Sequence, residues 1–200
     1  MLGFTLIISK VRQFWKKLNI SILILFAYPT YFMWPAVKPG STAMMQYSGR
    51  LDTSGTVFGA QALQRMKFPW SQNLMINPPE GISTITLANL VQSMRLTVLW
   101  VLVRFFDPIY GVNLMILTGW VLTGIAAFCL ARYLSANVAG AFAAGLFCES
   151  LPWMREKVMT HVAYTYMCIP LVLILIGLKY LEHEKEKHLF QYGVVLLGTF

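Results

Sequence analysis

Residues 108–131, PIYGVNLMILTGWVLTGIAAFCLA, form a run of 24 residues without a charged side chain. As a helix rising 1.5 Å per residue, this run is longer than the hydrocarbon core of a bilayer, which is about 30 Å thick. It is therefore predicted to span a membrane. Arg132 follows directly, and positively charged residues are typical of the cytoplasmic ends of such helices.

The composition of the whole chain agrees with that prediction. Of 200 residues, 57% are hydrophobic and only 12% are charged, about half the charged fraction of a soluble globular protein. The net charge of +8 is spread along the chain, which predicts no nucleic-acid partner. Cys129, Cys148 and Cys168 lie in apolar segments without CxxC or Cys/His spacing, so they are interpreted as small core residues. The predicted fold class is all-α, a polytopic helical membrane protein.

Other apolar segments give the predicted organisation, a single membrane domain over residues 1–200. Four basic residues at 10–17 precede the first span, so the N-terminus is predicted in the cytoplasm, in the cell membrane. A cleaved signal peptide is the competing interpretation, but Pro29 and the lack of an A-x-A-like site argue against it. Spans are predicted at 18–37, 108–131, 137–152 and 160–178, with an incomplete span from 189 that suggests the N-terminal part of a longer protein.

A long external loop, residues 38–107, is predicted to carry interfacial helices. A short helix is expected at 56–66 and an amphipathic helix at 83–106. Arg95 and Arg104 interrupt the second helix, and a charged side chain at the bilayer centre costs roughly 2.5 kcal/mol or more. A juxtamembrane or re-entrant helix is therefore favoured over a full span.

That choice decides whether two polar patches share one face of the membrane. With 83–106 on the outer side, the loop at 50–81 and the segment ESLPWMREKVMTH, residues 149–161, are both external. If 83–106 crossed the membrane, the two patches would lie on opposite faces. The first topology is preferred because it brings the two patches together.

The two patches supply the residues that could carry chemistry. Asp52 could act as a general base or a metal ligand, or it could cap the following helix. His161 could donate to a phosphate or accept a proton, or it could have no role. Arg155 and Lys157 could bind a lipid phosphate or anchor a helix against headgroups. Weaker candidates for substrate binding are Glu80, Trp70, Glu149 and Glu156.

Taken in order, these segments resemble the GT-C superfamily of integral-membrane glycosyltransferases, which use polyprenyl-phosphate-linked sugars. The resemblance lies in Asp52 after the first span, in FPWSQNLMINPPEG at 68–81, and in the run from GVNLMILTG to MCIPL at 111–171. It implies that Asp52 is the catalytic base and that Arg155 and His161 face the lipid phosphate and the reacting centre. It also implies a second carboxylate, for which the candidates are Glu149 and Glu156.

The resemblance implies transfer of a hexose or pentose from a polyprenyl-phosphate donor to a glycan, lipid or protein acceptor on the outer face of the membrane. A hydrophobic groove between helices would hold the isoprenoid tail, and membrane lipids are a further expected partner. The sequence has no DD, DxD or DNE cluster, so a divalent metal cofactor stays open, and the 200 residues are not expected to be active by themselves. The alternative is a transporter or flippase for a lipid-linked or anionic substrate, which should place ionisable residues near mid-membrane.

Overall fold

The computed structural model describes residues 20–44, 57, 60–61, 64, 75–76, 82–83, 91–134, 136–160, 165–183 and 191. These residues confirm the predicted all-α class, since helices account for most of them. One antiparallel pair of two-residue strands is the exception, with Met75 opposite Ser83 and Ile76 opposite Ile82. In chain order the elements are α1 Ile20–Phe32, α2 Trp34–Val37, β1 Met75–Ile76, β2 Ile82–Ser83, α3 Val91–Phe105, α4 Pro108–Tyr133, α5 Val138–Ser150, α6 Pro152–Thr160 and α7 Cys168–His183.

Helix α4 is the central helix, against which α1, α2, α3, α5 and α7 pack. Its N-terminus is capped by Asp107, whose carboxylate accepts a hydrogen bond from the backbone N–H of Ile109 at 2.9 Å. Pro108 follows at the first helical position, where its missing N–H costs nothing. Within the described part of the chain, α4 is the one helix long and apolar enough to cross a membrane.

Helices α1 and α3 run antiparallel to α4. Along α1, Leu25 clusters with Phe128 near the end of α4, whereas Phe32 contacts Trp120 closer to its start. Helix α3 is joined to α4 by the two-residue link at 106–107 and packs against its first half.

The helices on the other side of α4 cover only half of its length. Helix α5 has 13 residues, about 20 Å, and ends beside residues 119–124 of α4, which we call the mid-helix band. Helix α7 begins beside the same band, where Thr123 contacts Cys168, and runs parallel to α4 until Glu182 bonds to Tyr133. Among the described residues, the spans predicted at 18–37, 137–152 and 160–178 correspond to α1 with α2, to α5 and to α7.

Polar side chains of α4 bind backbone groups of the segments packed against it. The Asn113 amide donates to the carbonyl oxygens of Ala36 and Ala43 at 3.0 and 2.7 Å. The Thr123 hydroxyl accepts from the Cys168 N–H at 3.0 Å, and its one proton is shared between the carbonyl oxygens of Gly119 at 2.8 Å and Thr165 at 3.1 Å. The hydrogen bonds of Thr123 stabilise the turn at 165–167 from another helix. Helix α7 therefore begins at Cys168, after this turn, whereas the sequence predicts a span from residue 160.

The external-loop predictions are partly corrected. Val57, Ala60, Gln61 and Gln64 are helical, as expected for a helix at 56–66, and Ala60 is fully buried. The helix predicted at 83–106 does not start at Ser83, which lies in β2, and its described part is Val91–Phe105. Its buried residues are Leu99 and Val103, whereas Val101 and Phe105 of the predicted apolar stripe are exposed. Contact of Val103 with Gly111 across the tight link sets this rotation.

Candidate functional site

The candidate site lies where α5 ends against the mid-helix band, and it is centred on Glu149. Helix α5 buries Ala141, Gly145 and Glu149, which are spaced four residues apart and form one face. The Glu149 side chain is 0 % exposed. Neither of its carboxyl oxygens has a hydrogen-bond partner among the described residues. A fully buried carboxyl group without such a partner is rare in proteins and calls for an explanation.

Two glycines create the space that Glu149 occupies. A methyl group added to Gly124 would overlap the Glu149 carboxyl group and would lie 2.7 Å from its Cγ. A methyl group added to Gly145 would lie 2.8 Å from the carbonyl oxygen of Gly124. Helices α4 and α5 therefore approach closely because both residues lack a side chain, as is common in membrane helix pairs. On α5, the small residues Ala141 and Gly145 are buried, whereas Ala139, Gly140 and Ala143 are exposed.

Trp120 joins the site to α1. Its indole N–H donates to the backbone carbonyl of Glu149 at 3.0 Å, which satisfies a carbonyl in the last turn of α5. The indole ring makes edge-to-face contacts with Tyr28 and Phe32, whose centroids lie 6.2 and 5.3 Å away. Three helices thus meet at one buried tryptophan.

Arg155 lies on the outside of the same junction. Helix α6 buries Met154 and Val158, so Arg155 and Glu156 are exposed. The Arg155 guanidinium carbon lies 4.8 Å from the centroid of the Phe32 ring, a cation–π distance. Since Phe32 also contacts Trp120, an aromatic pair separates the exposed cation from the buried core. The arginine is held on an apolar support and can still bind an anion.

The structure places only part of the predicted site. Glu149 lies in the last turn of α5, and Arg155, Glu156 and Lys157 belong to α6, which follows α5 directly in the chain. Glu149 itself is fully buried beside the middle of α4, so its side chain is not part of an exposed polar surface. The remaining candidates lie outside the described residues: Asp52, Trp70, Glu80 and His161.

Sequence reasoning missed the roles of Trp120, Gly124 and Phe32. A tryptophan in the middle of a charge-free run was the available signal, because a buried indole N–H needs an acceptor where no water can supply one. Among the described residues, no group of three or more His, Cys, Asp or Glu side chains is placed to hold a metal ion.

Comparison with known proteins adds no assignment to this geometry. No family model, no curated protein and no solved structure matches the chain.

Proposed function

We propose that the protein is a membrane glycosyltransferase that transfers a sugar from a polyprenyl-phosphate donor to an acceptor on the outer face of the membrane. The observation that carries the proposal is the exposed guanidinium of Arg155 on the ring of Phe32, beside an apolar helix long enough to span a bilayer. A cation on an apolar surface matches a ligand that joins a phosphate to a hydrocarbon tail.

Arg155 would act on the phosphate group of the donor. A guanidinium can donate two parallel hydrogen bonds to phosphate oxygens, and its contact with Phe32 restricts its orientation. When the bond between sugar and phosphate breaks, negative charge grows on the phosphate leaving group. A fixed cation at that position stabilises the transition state more than the bound donor, which is the condition for catalysis.

The other roles follow the resemblance to the GT-C superfamily and belong to the same proposal. Asp52 would accept the proton of the acceptor hydroxyl, and His161 would lie at the reacting centre. In the cell membrane, with the N-terminus in the cytoplasm, α4 would cross from the outer to the inner face. Contacts with sugar and acceptor are proposed for the remaining candidates: Trp70, Glu80, Glu156 and Lys157.

The test uses the full-length protein in membranes with a labelled polyprenyl-phosphate sugar. Arg155→Gln should reduce kcat/KM for the donor by about 10- to 100-fold, because charge-assisted hydrogen bonds to the phosphate are lost. Asp52→Asn should abolish transfer while leaving donor binding intact. Arg104→Gln is the matched control, since the Arg104 guanidinium lies 5.4 Å from the centroid of the Trp100 ring on α3. Equal activity of the two arginine variants would refute the role of Arg155, and undiminished transfer by Asp52→Asn would refute the catalytic base.

One observation favours the second candidate, a transporter for a lipid-linked or anionic substrate. Glu149 is buried beside the middle of α4, and an ionisable side chain near mid-membrane is typical of transporters. In sealed vesicles, movement of the labelled lipid between leaflets without any transfer product would support this alternative over the enzyme.

A further inference from the structure

Glu149 is a buried acid that the proposed glycosyl transfer does not use. Its carboxyl group packs directly on Gly124, in the space left by the missing side chain. The nearby indole N–H of Trp120 cannot serve the carboxyl group, because it donates to the backbone carbonyl of the same residue. No other described residue donates a hydrogen bond to either carboxyl oxygen.

The ionisable groups on the surrounding elements do not offset a negative charge at this position through a hydrogen bond. Arg155 of α6 is exposed and lies on Phe32, and the hydroxyl of Tyr166, before α7, donates to the Met115 carbonyl at 3.1 Å. The other titratable side chains of the packed elements are Tyr28 and Tyr31 of α1, Tyr110, Cys129, Arg132 and Tyr133 of α4, Cys148 of α5, Glu156 and Lys157 of α6, and Cys168, Lys179, Tyr180, Glu182 and His183 of α7.

An ionised carboxylate in such surroundings is far less favourable than a neutral carboxylic acid. Removing an unpaired carboxylate from water costs many times more than removing a neutral group of the same shape, so buried acids neutralise by binding a proton. The close approach of α5 to α4 at Gly124 and Gly145 leaves no room for hydrating water beside the group. The packing of the two helices and the charge of Glu149 are therefore linked.

We propose that Glu149 is a proton-binding site within the helix bundle, and that release of its proton requires the end of α5 to separate from α4. The proton comes from water and joins one carboxylate oxygen to form the neutral acid. On release it returns to water, and the carboxylate left behind must regain hydration or a cationic partner. This inference does not depend on glycosyl transfer.

Infrared spectroscopy of the full-length protein in lipid tests the proposal directly, without a sugar donor. The carbonyl band of a protonated carboxylic acid should be present at neutral pH, absent from Glu149→Gln and retained in Glu156→Gln, the matched variant at an exposed glutamate. Loss of a carboxylate band in place of the acid band in Glu149→Gln would overturn the proposal.

A second measurement covers the case in which Glu149→Gln does not fold. Raising the pH above the range in which an ordinary carboxyl group titrates should lower the thermal stability of the wild-type protein and of Glu156→Gln, because the folded state holds a proton that the unfolded state releases. The acid band should persist through this loss and disappear only where the stability stops falling. A wild-type protein with no acid band at neutral pH would overturn the proposal. If Glu149→Gln folds, its thermal stability should lack this pH dependence, and a profile parallel to that of the wild type would also overturn it.

Discussion

The contact between Gly124 and Glu149 predicts that Gly124→Ala destabilises the protein although alanine is the better helix former. Alanine in place of glycine inside a helix gains about 0.5 to 1 kcal/mol. Here the new methyl group would overlap the Glu149 carboxyl group and lie 2.7 Å from its Cγ. Overpacking of this kind typically costs about 1 to 3 kcal/mol. The net loss in the free energy of unfolding should therefore reach about 2 kcal/mol.

Gly140→Ala is the matched control on α5. Gly140 is exposed, and a methyl group there would meet nothing closer than the side-chain oxygen of Asn137 at 3.4 Å. This variant should gain stability by up to about 1 kcal/mol. The two alanine variants should then differ by about 1 to 3 kcal/mol in thermal unfolding of the purified protein in one detergent.

A double-mutant cycle shows whether the clash with Glu149 is the cause. Glu149→Ala removes the atoms that the new methyl group would overlap, so Gly124→Ala should destabilise less in that background, with a coupling of about 0.5 to 3 kcal/mol. Glu149→Gln retains the overlapping atoms and should give no such relief. If Gly124→Ala proves as stable as Gly140→Ala, or if its effect is the same in all three backgrounds, the reasoning about this contact is refuted.

Three further substitutions test polar contacts made by or beside α4. Asn113→Ala should lower the free energy of unfolding by about 1 to 3 kcal/mol, because the carbonyl group of Ala36 loses its donor at a buried position and that of Ala43 loses its donor at a partly buried one, and a thermal midpoint equal to that of the wild type would contradict this contact. Thr123→Val keeps the side-chain shape but leaves the amide of Cys168 without its acceptor, so hydrogen exchange at that amide should accelerate; unchanged protection would count against the contact. Asp107→Ala should cost about 0.5 to 2 kcal/mol through loss of the helix cap, whereas Asp107→Asn, which keeps a capping oxygen, should unfold close to the wild-type temperature.

The sequence predicts the bounds of α4 closely because residues at each end of the helix indicate where it begins and ends. Asp107 and Pro108 begin the helix, and the charge of Arg132 comes within two residues of its end. The lengths of α5 and α7 are not local properties. An apolar segment of sequence indicates only that its side chains will have apolar surroundings. The end of α5 and the start of α7 are set by Trp120 and Thr123, which lie far from them in the sequence. Hydropathy alone could not have shown that α5 ends and α7 begins beside the middle of α4.

In the candidate site, too, features set by neighbouring residues could be predicted, whereas contacts between distant parts of the chain could not. Glu149 and Arg155 belong to one polar run in the sequence, yet one is fully buried and the other exposed. The burial of Glu149 could have been inferred, because it continues the four-residue spacing of Ala141 and Gly145 on a face suited to close helix packing. The support of Arg155 by Phe32 could not, since the two residues come from helices that only the fold brings together.

The mid-helix band of α4 explains why a chain rich in apolar residues breaks its helices where it does. Backbone groups at a helix end need partners, and in apolar surroundings those partners must come from the protein. Trp120 supplies one to the end of α5, and Thr123 supplies two to the turn before α7. The same band carries Gly124, which leaves room for an acid that has no partner there. The backbone groups that contact the mid-helix band have hydrogen-bond partners, whereas the Glu149 carboxyl group has none among the described residues. Glu149 can therefore gain or lose a proton without unfolding the helices around it.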